Sequence, residues 1–139
     1  MIDIENKTDL KIDTSKLETI LKSLTQQEVE LVITDNQDIQ TINKEYREKD
    51  YPTDVLSFPY EKMPFSPLGS IVISKEFVEE KASELGHSVQ DEFTLLFIHG
   101  LLHILGYDHE VDNGEMRKME EQLIKKFNLP DSLIVRTEG

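Results

Sequence analysis

The chain has no cysteine among its 139 residues, and this absence limits its metal chemistry. Without thiols the protein forms neither disulfides nor thiolate zinc sites, so any bound zinc must be held by histidine nitrogens or carboxylate oxygens. The chain also has no apolar run long enough to span a bilayer, and its start, Met1 to Asn6, lacks the basic and apolar regions of a secretory signal. We therefore expect a soluble, cytoplasmic protein without a membrane partner.

Three of the four histidines, His99, His103 and His109, fall within one short segment. Residues four apart on a helix lie on the same face, so His99 and His103 can direct ring nitrogens at a common point. Gly106 suits a helix C-terminus, because glycine adopts the left-handed conformation without a Cβ penalty, and the chain can then return His109 to that point. Three imidazoles without a fourth protein ligand match a catalytic zinc site. We interpret His87 as an ordinary solvent-exposed residue.

The same spacing occurs in the long zinc-protease signature, where the residue after the first histidine is the glutamate that acts as general base. Here that position is Gly100. The segment therefore predicts a zinc site and argues against ordinary peptide hydrolysis. The alternative to a metal site is that these histidines are core or surface residues.

Hydrophobic periodicity predicts about four strands and about five helices, in one domain over residues 1–139. We expect an α+β fold in which the strands form a small mixed β-sheet that packs against the helices. The predicted strands are Ile2 to Lys7, Glu28 to Thr34, Val55 to Tyr60 and Gly69 to Ser74. The predicted helices are Ser15 to Leu24, about Asp38 to Arg47, Lys75 to Leu85, Gln90 to Leu105 and Asp112 to Phe127. The last helix opens with a capping box of Asp112 and Glu115. The helix from Gln90 is apolar on nearly every side, so we expect it to be the buried central helix that carries the metal ligands.

A second segment, residues 43–59, reads Asn-Lys-Glu-Tyr-Arg-Glu-Lys-Asp-Tyr-Pro-Thr-Asp-Val-Leu-Ser-Phe-Pro. Together with residues 99–109, and in this order, it resembles the YbeY family of zinc-dependent endoribonucleases, the ribosomal RNA maturation factors of bacteria. The resemblance covers nearly the whole chain. It implies a metal-dependent endoribonuclease specific for single-stranded RNA, acting in ribosomal RNA maturation and ribosome quality control. The implied partners are ribosomal RNA precursors, the small ribosomal subunit and assembly factors.

The resemblance also implies site residues: one zinc ion per chain, held by His99, His103 and His109, and a functional arginine at Arg47. As a hypothesis, Arg47 holds the scissile phosphate, because a guanidinium can donate two parallel hydrogen bonds to phosphate oxygens. The alternative is a surface salt bridge with a neighbouring glutamate. Asp108 either orients a histidine or assists proton transfer, or it only fixes the turn. Both a metal-activated water and the RNA's own 2′-hydroxyl stay open as the attacking group.

One position departs from the family pattern. Ser70, which follows Gly69, stands where the family has an acidic residue before the strand. The departure leaves the three histidines untouched, and it puts a carboxylate function at position 70 in question.

The charge of −13 opposes an RNA substrate, because nucleic-acid affinity usually comes from clustered lysine and arginine. Four cations lie in or near the second segment: Lys44, Arg47, Lys49 and Lys62. With a bound Zn²⁺ they would form a small positive cleft within an acidic body, with weak, salt-sensitive RNA binding outside the ribosome. The alternative is that Lys44 and Lys49 belong to a solvated helix face paired with Glu45 and Glu48.

Two other function classes stay open. The first is a non-catalytic binding factor in ribosome assembly whose metal is structural, and the second is a zinc peptidase, which Gly100 disfavours.

Overall fold

The computed structural model describes residues 1–61, 66–108 and 111–129. These residues form a four-stranded sheet and five helices, which confirms the predicted α+β fold. The strands are β1 (Ile2–Asn6), β2 (Val29–Thr34), β3 (Val55–Pro59) and β4 (Gly69–Ser74). The helices are α1 (Ser15–Leu24), α2 (Asn36–Arg47), α3 (Lys75–Leu85), α4 (Val89–Ile104) and α5 (Glu115–Lys126).

The sheet is mixed, and its strand order is β1-β2-β4-β3. Neighbouring strands β1, β2 and β4 run parallel, whereas β3 runs antiparallel to β4 and forms one edge. Ser57 of β3 lies opposite Ile71 of β4, and Leu56 lies opposite Val72. Because side chains alternate along a strand, Ser57 and Ile71 face one side of the sheet, and Leu56 and Val72 face the other.

Helix α4 lies between the sheet and α5. Its residues Phe97 and Leu101 pack with Ile71 and other strand residues in one core cluster. Its residues Ile98 and Leu102 pack in a second cluster, which includes Leu123 and Ile124 of α5. The central helix is therefore buried on two sides, as its apolar sequence predicts. None of the described helices is long and apolar enough to cross a bilayer.

Helix α2 covers the opposite face of the sheet, where Ile39 packs against Leu56 and Val72. The Asp35 carboxylate caps its start by accepting a hydrogen bond from the Asp38 backbone N–H, at 2.8 Å. The helix therefore begins slightly before the predicted Asp38 and ends at Arg47, a residue predicted to lie near its end.

Helix α5 begins at Glu115, so the predicted start at Asp112 is wrong. Gly114 has a left-handed backbone with φ 98°, which the first residue of a helix does not adopt. The Asp112 carboxylate nevertheless accepts hydrogen bonds from the backbone N–H groups of Gly114 and Met116. The capping chemistry is present, but it acts from a turn that precedes the helix.

His87 is not the exposed residue that we expected. Its side chain is 5% exposed, and its Nε2 lies 2.8 Å from an oxygen of Glu92, which is fully buried in the first turn of α4. A buried carboxylate needs such a partner, because burial of an unpaired charge is costly. The pair connects the segment before α4 to the helix.

Glu48 ends α2 in a left-handed conformation, with φ 59°. A side chain with a Cβ is strained there, so Glu48→Gly should raise the free energy of unfolding by about 0.5–1 kcal/mol. The matched change Glu45→Gly, at an exposed position inside the same helix, should lower it by about 1 kcal/mol. Urea denaturation of both variants measures the difference, and the same sign in both would contradict this account of the helix end.

Candidate active site

A cleft of about 170 Å³ opens between β3 and α4. The residues that line it are Arg47, Asp54, Val55, Leu56, Ser57, His99, Gly100 and His103. The cleft therefore brings together the two segments that the sequence singles out, residues 43–59 and residues 99–109. Their approach depends on the sheet, because β3 lies at the edge beside which α4 packs.

His99 and His103 point ring nitrogens at each other across one helical turn. The two Nε2 atoms are 3.2 Å apart, and the rings meet edge to face at 80°. Two nitrogens that each bind a tetrahedral zinc at about 2.0–2.1 Å are themselves about 3.3–3.4 Å apart. The two Nε2 atoms are thus separated by nearly the distance expected for two ligands of one zinc ion.

The turn after α4 follows the predicted pattern. Gly106 has φ 104°, and the N–H groups of Gly106 and Tyr107 donate to the carbonyls of His103 and Leu102. These two bonds form a Schellman motif, which ends the helix and reverses the chain. The third candidate ligand, His109, lies outside the described residues. Within the part of the chain that is described, no group of three side chains is arranged to hold a metal.

Arg47 reaches the cleft from the end of α2. Its Nη2 donates to the Ser57 carbonyl at 2.8 Å, and its Cζ lies 5.6 Å from the centre of the Phe58 ring. Within residues 1–61, 66–108 and 111–129, no carboxylate forms an ion pair with it, so the surface salt bridge gains no support. Since a guanidinium has five N–H donors, the Ser57 carbonyl can orient the group and leave others for a ligand.

Asp108 lies just after the turn and is exposed. Its backbone carbonyl accepts hydrogen bonds from Val111 and Asp112. Of the two alternatives for Asp108, this contact agrees with a part in the turn, while the role of its carboxylate stays a prediction. Among the described residues, the acid that lines the cleft is Asp54, which no sequence pattern distinguishes beyond its place in the second segment.

Glu120 contacts the cleft residue His99, and the sequence patterns did not predict this. Its Oε1 lies 2.9 Å from Nδ1 of His99, and its side chain is 2% exposed. The signal was an ionisable residue within the apolar stripe of α5, beside Met116, Leu123 and Ile124. Only the packing of α5 on α4 shows which residue it meets.

Gly100 lines the cleft at the position of the protease glutamate, where α4 comes closest to the sheet. A Cβ built on Gly100 would lie 3.0 Å from Cγ2 of Ile71 and 3.4 Å from Cγ2 of Val55. Any side chain at position 100 would therefore be crowded by these sheet residues from its first carbon atom onwards. Glycine here has a packing reason, and the general base of the protease signature is absent.

Comparison with known proteins assigns the chain to a family. The family model described as Endoribonuclease YbeY matches residues 2–128. An endoribonuclease YbeY from Sulfurimonas denitrificans is 60% identical over 139 residues, which cover 100% of both chains. The chain belongs to the endoribonuclease YbeY family.

Other YbeY relatives agree. An endoribonuclease YbeY from Aliarcobacter butzleri is 61% identical, with 98% of this chain and 99% of the relative covered. One from Helicobacter pylori strain J99 is 52% identical, with 99% of each chain covered. A solution structure of a Thermotoga maritima protein matches the fold with a TM-score of 0.64 at 28% identity, covering 91% of this chain and 89% of that chain.

Ser70, the departure from the YbeY pattern, lies away from the cleft. It is buried in β4 and lines a groove on the α2 face of the sheet, with Tyr46 and Phe58. Its neighbour Ile71 faces α4. An acidic residue at position 70 would therefore lie on the far side of the sheet from His99.

The structure separates the roles of two of the four cations, Lys44 and Arg47. Lys44 lies 3.8 Å from an oxygen of Asp50, and both side chains are largely exposed. This is the solvated pairing that we considered as the alternative for Lys44, although its partner is Asp50 and not a glutamate. Lys62 lies outside the described residues. Among the described residues that line the cleft, the cation is Arg47.

The contact at Gly100 can be tested by a double-mutant cycle. Gly100→Ala should lower the free energy of unfolding by up to about 2 kcal/mol, because a cost of about 1–3 kcal/mol for the methyl group against Ile71 outweighs a gain of about 1 kcal/mol from replacing a glycine inside a helix. The double variant combines this change with Ile71→Ala, which removes both Cγ atoms. It should lose less stability than the sum of the losses of the two single variants, with a coupling of about 1 kcal/mol.

Ile71→Val is the matched control, because valine keeps both Cγ atoms and removes only Cδ1. Its combination with Gly100→Ala should be additive within about 0.5 kcal/mol. Urea denaturation of metal-free protein measures all five variants. Equal coupling in the two cycles would show that the Cγ contact is not the constraint.

Proposed function

We propose that the chain is a single-domain, zinc-dependent endoribonuclease that cleaves single-stranded RNA in the cytoplasm. It acts in ribosomal RNA maturation and ribosome quality control, with the small ribosomal subunit and assembly factors as partners. One zinc ion per chain is held by His99, His103 and His109. The observation that carries the proposal is that Arg47 and the His99–His103 pair line the same cleft. Family membership supports the endoribonuclease activity and its RNA substrate.

The donor set suits zinc, because the chain has no thiols and the two imidazoles are already at ligand separation. When bound, zinc supplies a Lewis acid that polarises a phosphate oxygen and activates the attacking oxygen nucleophile. A binding factor with a structural metal would need no arginine at the same cleft. A peptidase would need a base that Gly100 does not provide.

The role of Arg47 is to hold the scissile phosphate at the cleft. The Ser57 carbonyl and the Phe58 ring restrain the guanidinium, so that it is oriented before the substrate arrives. A planar guanidinium then donates hydrogen bonds to the phosphate oxygens, where negative charge increases in the transition state. Lysine lacks this paired geometry.

Arg47→Ala should reduce kcat/KM for cleavage of an unstructured RNA by about 100-fold or more, because a preorganised donor to the transition state is lost. Bound zinc should be unchanged, since Arg47 is not a ligand. Lys44→Ala is the matched control: it removes one positive charge from the same helix, at an exposed position that pairs with Asp50. It should change kcat/KM by less than about threefold.

Equal losses in the two variants would mean that Arg47 acts through the general field of the protein. Cleavage that depends on neither metal nor Arg47 would point to a contaminating nuclease, and the binding factor would then be the better assignment. If chelation abolishes cleavage while the circular dichroism spectrum is retained, the metal is catalytic and not structural.

Zinc content tests the ligand set separately. Wild-type protein should hold one zinc ion per chain, and His103→Gln should lose most of it, because a site with two of three imidazoles binds zinc weakly. His87→Gln, the same change at a buried histidine outside the cleft, should keep it. Metal analysis after dialysis against a weak chelator measures both, and retention of zinc by His103→Gln would contradict this ligand set.

A further inference from the structure

We propose that Glu120 is a positioning residue for the metal site, acting through His99. The Glu120 carboxylate accepts the Nδ1–H of His99 and thereby leaves Nε2 of His99 unprotonated and directed at Nε2 of His103. This inference rests on the proposed function, because it gives the two imidazoles a common metal ion. It adds a residue of α5 to the Arg47, His99 and His103 side chains that line the cleft.

Glu120 is placed by the packing of α5. Met116, Leu123 and Ile124 of this helix are buried with Ile98 and Leu102 of α4, and Glu120 lies on the same face. Its side chain is 2% exposed, and its Oε1 lies 2.9 Å from Nδ1 of His99. An apolar residue would fit this stripe, so a carboxylate here must be offset by a strong contact. The contact that the structure provides is His99.

The proton on His99 follows from the chemistry of the two partners. An ionised carboxylate only accepts hydrogen bonds, and a neutral imidazole has one donor nitrogen and one acceptor nitrogen. In the proposed arrangement the Glu120 carboxylate accepts, so Nδ1 is the donor and Nε2 carries the lone pair that a metal needs. A carboxylate on the far nitrogen also makes an imidazole a more basic metal ligand.

A buried pair of histidine and carboxylate is not by itself a sign of a metal site. The chain has a second one, in which Nε2 of His87 lies 2.8 Å from an oxygen of the fully buried Glu92, and neither residue lines the cleft. The pair at His99 differs because its other ring nitrogen lies 3.2 Å from Nε2 of His103. By contacting Nδ1 of His99, the Glu120 carboxylate therefore helps to determine where Nε2 of the same ring points.

Glu120→Gln and Glu92→Gln provide the matched test. Both changes replace a buried carboxylate by an amide of nearly equal size beside a histidine, so both should lower the stability of the metal-free protein. An amide offers both an acceptor oxygen and a donor nitrogen, so it accepts either tautomer of the imidazole. The two variants should therefore differ only in their effects on the metal site.

The first readout is zinc affinity, measured by competition with a chromophoric chelator. Glu120→Gln should weaken zinc binding by about 10–100-fold, and Glu92→Gln by less than about twofold. The second readout is the tautomer of His99 in the metal-free protein, from nitrogen-15 NMR of the ring. Wild-type protein and Glu92→Gln should show the Nδ1–H form, and Glu120→Gln should show a mixture.

The outcomes separate this inference from the proposed function. A wild-type chain that binds no zinc would overturn the proposed function and this role together. A wild-type chain that binds zinc, with an unchanged zinc affinity or an unchanged tautomer in Glu120→Gln, would overturn this role alone. Equal losses of zinc affinity in Glu120→Gln and Glu92→Gln would show that Glu120 only ties α5 to α4.

Discussion

The burial of α4 is the constraint on which the rest of the structure depends. From Glu92 to Ile104 every residue of this helix is buried except His99 and His103. Large apolar side chains each contribute about 1.5–3 kcal/mol when removed from water, so a rotation of the helix that exposed several of them would be very unfavourable. The same packing that stabilises the core therefore determines where the two imidazoles point. Metal ligands on such an element need little further ordering when a metal binds.

The cleft forms because three elements approach one edge of the sheet. Gly100 lets α4 lie against Ile71 and Val55, and β3 has no further strand beside it among the described residues. Arg47 starts from α2, on the opposite face, and reaches the cleft through contacts with Ser57 and Phe58 of that edge strand. An additional strand beyond β3 would occupy the Ser57 carbonyl that Arg47 now uses. The antiparallel edge strand is thus part of the site as well as of the sheet.

Sequence patterns predicted those features that depend on near neighbours. Helix α1, helix α3 and strand β4 have the predicted bounds, and Gly106 makes the predicted turn, because their signals lie within a few residues. The strand order and the contact of Glu120 with His99 depend on residues far apart in the chain, and periodicity contains no information about such pairs. The predicted exposure of His87 is wrong for a different reason: Glu92 is only five residues away, but a hydrophobic pattern does not show that two ionisable side chains pair with each other. Arg47 was found through family resemblance, because nothing in its local pattern separates it from a surface cation.

The acidic composition and the proposed RNA substrate are compatible if the cleft binds a single phosphate group of the RNA. At physiological ionic strength charges are screened over about 8 Å, so most of the −13 charge acts weakly on a phosphate held in the cleft. Arg47 lines the cleft, and in the proposed function a divalent ion would join it there at contact distance from the phosphate. The acidic surface beyond the cleft disfavours the many phosphate contacts by which basic proteins follow a duplex. In the proposed function, a short unpaired segment that enters the narrow cleft between β3 and α4 would avoid that repulsion, which agrees with the proposed preference for single strands.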